Sequence, residues 1–547
     1  MPDLSTADSF TQDEAGALAP YFTNTDKAVF ALRRLPETVK GALFARYSRS
    51  AKSLRRLFLD EFLGEVTQAG PPEPAAVGSR RADTLYARVL GEYGDDSVAQ
   101  LGSAHLACEG ASNVLTKVLE WGRLMAYLEQ STRYVPLTDR PNGRWRYHVP
   151  AELDASPIRQ TFIGTTDAAF ETYARWLPAL QAHFRAKYPQ SSEDSDAVYR
   201  SVIRAKALDT LRGLLPAATQ SNVGLFGTGQ AYEALLLRMF GHPLAEVRAY
   251  AKAMLLELRQ VIPAFLMRVD QPDRGGRWIE YLGETRRAFK REAEAIVAGI
   301  GDEARPEVVL TDFDPEGETK VVAAALYGAS TLSDDQLMAI ARRLPADERA
   351  RLLRAYTGER LNRRHKPGRA FERTSYRFDV LSDYGAFRDL QRHRLLTLDW
   401  QPLSTRHGYT QPAAIEEAGA LADWREIMDR SAELYDTLVD HGLHEIAPYG
   451  VVMAYRVRFY MEMNAREAMH VIELRTSPQG HPAYRRVCQL MHRAIAETAG
   501  HHAIADAMQF ADHSAVELER LQQERRMEEK RTKKNDDRPS TIDDCQS

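Results

Sequence analysis

Three basic groups in a row, Arg392-His393-Arg394, stand inside the run Arg388-Asp389-Leu390-Gln391-Arg392-His393-Arg394-Leu395-Leu396-Thr397. Packed guanidiniums beside apolar residues need an anionic partner, because a charge left against a core without one is costly. A phosphate-bearing cofactor or a nucleotide is a natural candidate. In an extended segment alternate side chains share a face, so Arg392 and Arg394 would point one way and His393 the other. Two such forks suit a pyrophosphate, which each can bond bidentately. A solvated basic turn is the alternative. Two Ser-x-Arg pairs, Ser131-Thr132-Arg133 and Ser404-Thr405-Arg406, place a hydroxyl and a guanidinium on one side of an extended stretch, as a phosphate clamp would. A helix is expected over Tyr455 to Thr476. Asn464 and Arg475 in it are eleven positions apart, so they project within about 20° of one another, along a stripe with Ala468 and Val471. An amide and a guanidinium on one stripe could hold a planar ring with an anionic or carbonyl end. The alternative is that Arg475 pairs with Glu473 on the surface.

These groups must be positioned by a large, mostly helical chain. Its 547 residues exceed one ordinary domain and allow a sizeable core. Apolar residues recur at helical spacing in Leu208 to Leu215, Ala231 to Met239 and Leu244 to Leu258. Helices are also expected at Lys40 to Ser50 and Thr319 to Gly328. Strand candidates are fewer: Val308 to Phe313, Tyr376 to Leu381 and Arg144 to Val149. Turn-rich breaks fall at Gly70 to Pro74, Gln190 to Asp194 and Gln271 to Gly276, the last dividing two halves with parts in the same order. In each half a helix is followed by Ser-Thr-Arg and then by long helices, the second with an Arg ahead of a His-Pro pair (Arg238 before His242-Pro243, Arg475 before His481-Pro482). Internal duplication is the economical reading. The expected divisions are a flexible 1–19, a first domain 20–272, a linker helix 273–305, a second domain 306–515 and a charged, disordered tail 516–547. The fold class is therefore helix-rich α+β, each half a small sheet flanked by long helices.

The bulk numbers restrict function. A net charge of −4 argues against nucleic-acid binding, which usually shows a basic surplus. The three cysteines, Cys108, Cys488 and Cys545, form no CxxC pair, so neither a disulfide framework nor a zinc site is expected, and no other metal. No apolar run approaches the roughly 20 residues of a membrane span. Met1 to Gln12 lacks the apolar stretch of a signal peptide. A reduced, cytoplasmic setting is expected.

The second half resembles the flavin-dependent thymidylate synthases, the ThyX family. Its Arg392-His393-Arg394 matches the family's RHR element in full. Phe371-Glu372 stands at the family's spacing, twenty residues before Arg392. Arg388-Asp389 takes the place of an Arg-Gln pair. Asn464-Ala465-Arg466 and Leu474-Arg475 match the closing helix, with His470 in place of its second Asn. The resemblance covers about residues 306 to 510. The first half matches other parts: Leu128 to Tyr134 resembles the NExSxRY end of the signature, and Leu211 to Pro216 the ARxxLP helix. There Trp121-Gly122-Arg123 replaces RHR, and Gln230-Ala231-Tyr232 stands where Asn-Ala-Arg would be. In the second half Thr397, Asp399 and Trp400 replace Ser, Asn and Glu, about two residues are inserted before Ser404, and Ile446-Ala447-Pro448 is a poor echo of ARxxLP. The losses are complementary, which suits sites built from both halves.

What the resemblance implies is conversion of dUMP to dTMP, with methylenetetrahydrofolate as carbon donor, FAD as hydride carrier and NADPH as reductant. No enzyme nucleophile is needed, and neither Cys108 nor Cys488 has the basic context of a reactive thiol. By the same resemblance Arg392, His393 and Arg394, with Asn464, Arg466 and His470, would hold the flavin. Ser131, Arg133, Ser404 and Arg406 would grip the nucleotide phosphate, and Arg212 and Arg475 would act catalytically at the uracil or its sugar. The family is homotetrameric, so a fused duplicate would form a homodimer that imitates the tetramer. The alternatives are a relative that acts on another pyrimidine, or a flavin- or nucleotide-binding protein without turnover.

Overall fold

The computed structural model describes residues 4, 6, 8–68, 100 and 102–536. The break at Gly70 to Pro74, Cys545 and the last part of the charged tail lie outside them. Two four-stranded antiparallel sheets organise the described chain, with helices on every side. The first contains β1 (Val29–Leu32), β2 (Ser103–Ser112), β3 (Met125–Glu129) and β4 (Gln220–Thr228) in the order β1-β2-β4-β3. The second contains β5 (Val308–Phe313), β6 (Ser375–Asp383), β7 (Thr397–Trp400) and β8 (Arg456–Asn464) in the order β5-β6-β8-β7. The topology is the same in both, and so are the joints. Ser112 ends β2 and caps the Asn113–Leu119 helix; Asp383 ends β6 and caps the Tyr384–Leu390 helix. Thr228 ends β4 and caps the Gly229–Phe240 helix; Asn464 ends β8 and caps the Ala465–Arg475 helix. Each cap oxygen accepts a backbone N–H that the first turn of a helix leaves unpaired.

Two sequence expectations are corrected here. The helix expected from Tyr455 begins only at Ala465, because residues before it are the strand β8. Its buried residues, Val457, Phe459, Met461 and Met463, alternate with more exposed Arg456, Arg458, Tyr460 and Glu462. That is period two, which a strand buries on one face and a helix cannot. Arg144 to Val149 is not a strand; it touches a sheet through one isolated bridge, Tyr147 to Thr219.

The halves are interlocked. Phe170, Tyr173, Leu180 and Phe184 of the Arg159–Lys187 helix lie in one core with the second sheet. Leu434 and Leu438 of the Leu421–Asp440 helix lie in the core of the first. Between the sheets the chain pairs with itself about a pseudo-twofold axis. Ala217 donates to the Val451 carbonyl at 2.8 Å and Met453 to that of Leu215 at 2.9 Å; Ala218 donates to Tyr449 and Ala454 to Gly213, both at 3.0 Å. Pro216 stands opposite Val452 at the centre of this exchange. Trp424 packs over it, so close to Gly213 that a Cβ there would lie 2.7 Å from its ring. The Arg277–Val297 helix joins the halves.

Candidate functional site

The pseudo-twofold brings five guanidiniums from both halves to one place. Arg212 opens the short turn that ends the Asp196–Leu211 helix, and Arg133 lies in the turn after β3. Arg388 lies on the Tyr384–Leu390 helix, Arg392 just beyond it, and Arg475 at the last position of the Ala465–Arg475 helix. Glu129, at the end of β3, accepts from Arg388 at 2.7 Å and lies 3.7 Å from Arg392. Asp389 pairs with Arg392 and stands 3.5 Å from Arg212 and 3.9 Å from Arg475. Arg133 forks onto Asp209 at 2.8 and 2.6 Å. Burial alone would raise the carboxyls of Glu129 and Asp389. Arg388, Lys117 and Arg392 outweigh it and hold Glu129 at about 2. Arg392, Arg475 and Arg212 likewise hold Asp389 well below the usual carboxylate range.

Arg133, Arg212, Arg388 and Arg392, with Glu129 and Ser131, line a cavity of about 40 Å³. A water needs roughly 10–15 Å³ on this measure, so the space suits one tetrahedral anion better than a ring. Three buried donors facing this region, Nε and Nη2 of Arg212 and Nε of Arg388, have no hydrogen-bond acceptor. Buried donors are seldom left so, which marks a place built to receive one. Gly385 is part of the design, because a Cβ there would lie 2.9 Å from Arg212 Nε.

The segment Arg392-His393-Arg394 is not extended, as expected above, but follows the Tyr384–Leu390 helix in a turn. The alternation is therefore wrong. Arg392 faces the small cavity, while His393 and Arg394 line a second cavity of about 550 Å³ between the halves. Opposite them lie Trp121, Arg123, Gln230 and Arg238. Arg394 donates to the Met125 carbonyl. Arg475 touches a lining residue of each cavity: it lies 3.9 Å from Asp389, and its Nε donates to His393 Nε2 at 2.9 Å. That bond fixes the proton of the neutral ring on Nδ1, which faces Glu467 at 3.8 Å. Burial first, then Arg475 and His470, keep His393 neutral far below its ordinary pKa. Burial raises Glu467 to about 7, and lowers His470 to about 4 with help from Lys366 and Arg363. His393, Glu467 and His470 place donor atoms within 4.8 Å of one another. The cationic field of Arg475, Lys366 and Arg363 opposes a metal ion there.

The other sequence candidates separate. Asn464 uses Oδ1 as a helix cap, bonding Glu467 N at 2.9 Å. Arg466 donates to the Pro367 carbonyl at 3.0 Å and lies 3.4 Å from Glu372. Neither lines the two cavities. The Asn464–Arg475 stripe faces inward at Ala468 and Val471, both buried, rather than presenting them to a ligand. Glu473 is not Arg475's partner; it takes a buried bidentate bond from Arg360 at 2.5 and 2.6 Å. Both Ser-x-Arg segments are turns, not extended, in which the Ser oxygen accepts the Arg backbone N–H. The first lines the small cavity, whereas the second lines neither of the two cavities; Arg406 is exposed and pairs with Asp436 at 2.8 Å. The place of Asn464 is taken in the first half by Thr228, not Gln230, because both end the fourth strand and cap the next helix. Sequence reasoning did not single out the carboxylates Glu129, Asp209 and Asp389 as site residues. Nor did it find His481, whose Nε2 lies 3.4 Å from the Asp209 carbonyl. Cys108 and Cys488 are buried, and burial pushes both thiols up, Cys488 to about 12.

Comparison with known proteins agrees with the doubled fold. A family model described as thymidylate synthase complementing protein matches twice, at residues 43–264 and 309–499. A UPF0159 protein of Chlamydia pneumoniae is 38% identical over 530 residues, covering 96% of this chain and 99% of that one. A flavin-dependent thymidylate synthase of Clostridium tetani is 26% identical over 200 residues, 36% of this chain and 73% of that one. Among solved structures, a UMP/dUMP methylase, PolB, from Streptomyces cacaoi bound with 5-Br dUMP aligns over 38% of this chain and 96% of its own, at a TM-score of 0.30 and 20% identity.

Proposed function

Because this chain belongs to the thymidylate synthase complementing protein family, we propose that it methylates a pyrimidine nucleotide, converting dUMP to dTMP with methylenetetrahydrofolate as carbon donor. The observation that carries the reading is the meeting of Arg133, Arg212, Arg388 and Arg392 around one small cavity, with Arg475 bonded to His393 of the larger one and 3.9 Å from Asp389 of the smaller. Ser131, Arg133 and Arg392 would grip the phosphate, and the unpaired donors of Arg212 and Arg388 would complete its shell. Arg212 and Arg475 would meet a pyrimidine carbonyl. Cations fixed where negative charge develops are the arrangement that lowers such a barrier most.

The larger cavity lies within the range of ligand pockets, and its lining of His393, Arg394, Gln230 and Trp121 fits a flat heterocycle with polar edges. Flavin, when bound there as FAD, supplies the hydride that completes the methyl group, and NADPH restores it. Asn464, Arg466 and His470 do not line that cavity, although the His470 ring meets His393 edge to face at 5.6 Å. Arg475 holds His393 neutral with its Nε2 accepting, so that ring would not add a charge beside the flavin. The setting we propose is the cytoplasm, with two chains as a dimer.

The test is direct. Purified full-length protein should be yellow, bleach with NADPH and form dTMP from dUMP and methylenetetrahydrofolate. Colourless protein that takes up no added FAD and yields no dTMP would sink this reading.

A further inference from the structure

The pseudo-twofold that builds the cation cavity must also generate a counterpart, and that counterpart can be found residue by residue. The caps Ser112 and Asp383, and Thr228 and Asn464, set the register, with Pro216 opposite Val452. Counted from these, Arg212 becomes Pro448, Arg475 becomes Met239 and Arg388 becomes Lys117. Asp389 becomes Val118 and Arg392 becomes Trp121, while Glu129, ending β3, becomes Trp400, ending β7. Lys117, Val118, Trp121, Trp400 and Pro448 all line one cavity of about 440 Å³. The counterpart therefore exists, some ten times roomier, with Arg212, Arg392 and Arg475 replaced by apolar or aromatic groups and Arg388 by Lys117.

Its remaining polar groups are informative. Trp121 and Trp400 meet edge to face, with ring centroids 5.7 Å apart. The Arg238 guanidinium lies 5.6 Å from the Trp121 ring and, among the described residues, forms no ion pair or hydrogen bond. Arg286, from the helix that joins the halves, makes one weak bond, to the Gly241 carbonyl at 3.3 Å. The nearby Glu445 is taken by Lys290 at 2.7 Å. Lys117 is held by Glu120 at 2.7 Å and Glu129 at 3.6 Å, so with Glu445 also taken, Arg238 and Arg286 stand against the one remaining lining carboxylate, Asp399. That balance disfavours a phosphate dianion and leaves room for one negative charge. A guanidinium over an indole face recognises a planar carboxylate bidentately while the ring packs on the aromatic wall.

We propose that this counterpart cavity of about 440 Å³ binds a planar aromatic ligand carrying one carboxylate, and that the chain holds one nucleotide rather than two. Only the stoichiometric half rests on the function proposed above.

The experiment uses the full-length holoprotein and two probes. Calorimetry with dUMP should give one site per chain. Tryptophan fluorescence with 2-naphthoate should show a saturable quench that saturating dUMP does not displace. The Arg238→Gln variant should weaken that binding at least tenfold, and Pro448→Trp, which fills this cavity alone, should abolish it while dUMP still binds once. Two dUMP per chain, competition between the probes, no saturable quench, or a quench indifferent to both variants would each overturn the proposal. Absence of any dUMP binding would instead strike the functional reading, with the naphthoate arm still decisive here.

Discussion

The Arg475 guanidinium donates through Nε to His393 at 2.9 Å while its Nη1 lies 3.9 Å from Asp389, so one side chain touches a lining residue of each cavity. Arg475→Ala should lower kcat by about 10²–10³-fold, the usual loss when a fixed donor at developing charge is removed. Flavin absorbance per chain should stay unchanged. Arg475→Lys keeps the charge but loses the fork, and should recover only part of the rate. An unaltered kcat in the alanine variant would refute the role. Glu467 tests the electrostatics differently. Burial raises its carboxyl to about 7 in the folded chain, against an ordinary 4.5. Between those values the unfolded state is ionised and the folded state keeps its proton, so stability falls as pH rises through this window and levels off above it. Glu467→Gln removes the penalty. Its melting temperature relative to the parent should rise from pH 5 to pH 8, by the equivalent of up to about 3 kcal/mol. A pH-independent difference would show that Glu467 is ionised throughout. Arg133, Arg212, Arg392 and Arg475 were candidates from the sequence, and Arg388 was not. Nor were their counter-charges, because Glu129 meets Arg388 and Asp209 meets Arg133 only after the chain has crossed between sheets.

At the scale of elements, the legible parts were those whose period was unbroken. β5 opens on the apolar run Val308 to Leu310, β6 alternates apolar and polar residues, and the Ala245–Leu258 helix shows clean helical spacing. β8 was hidden because its alternation runs straight into the Ala465–Arg475 helix with no Gly or Pro between, only the cap Asn464. The cap oxygen is the signal that separates them, as at Thr228. The tightest element contact is at Gly213, one residue past Arg212. A methyl there would meet Trp424 at 2.7 Å and the Ala454 Cβ at 3.0 Å, both from the other half. Trp424 is almost wholly buried and cannot swing away without opening the core. Gly213→Ala should cost about 1–3 kcal/mol, typical of overpacking. It should also raise the KM for dUMP several-fold by shifting Arg212. Chemical denaturation and steady-state kinetics check the two effects separately. A stability loss with unchanged KM would mean that Arg212 does not touch the nucleotide.

For the whole molecule, the exchange of helices decides whether the halves are independent. The cluster that surrounds the second sheet contains Phe170, Tyr173, Leu180, Phe184, Leu211 and Leu214 from the first half. Each such side chain, fully buried, contributes about 1.5–3 kcal/mol. Six together match or exceed the ~5–15 kcal/mol net stability of a typical domain. The reverse exchange, through Leu434, Leu438, Ile446 and Tyr449 in the first core, leaves the second half with a similar exposed face when alone. The reciprocal backbone bonds between 213–218 and 449–454 would also lose their partners. Separate fragments cut near residue 300, between the joining helix and β5, should therefore be insoluble or molten when expressed singly. Co-expressed, they should copurify as a one-to-one pair and unfold in a single transition, because neither core is complete without the other. The cation cavity, lined by Arg133 and Arg212 from one fragment and Arg388 and Arg392 from the other, should bind dUMP only in the pair. Two separate unfolding transitions, or a lone fragment that folds and binds the nucleotide, would show that the halves are autonomous and the site is not shared.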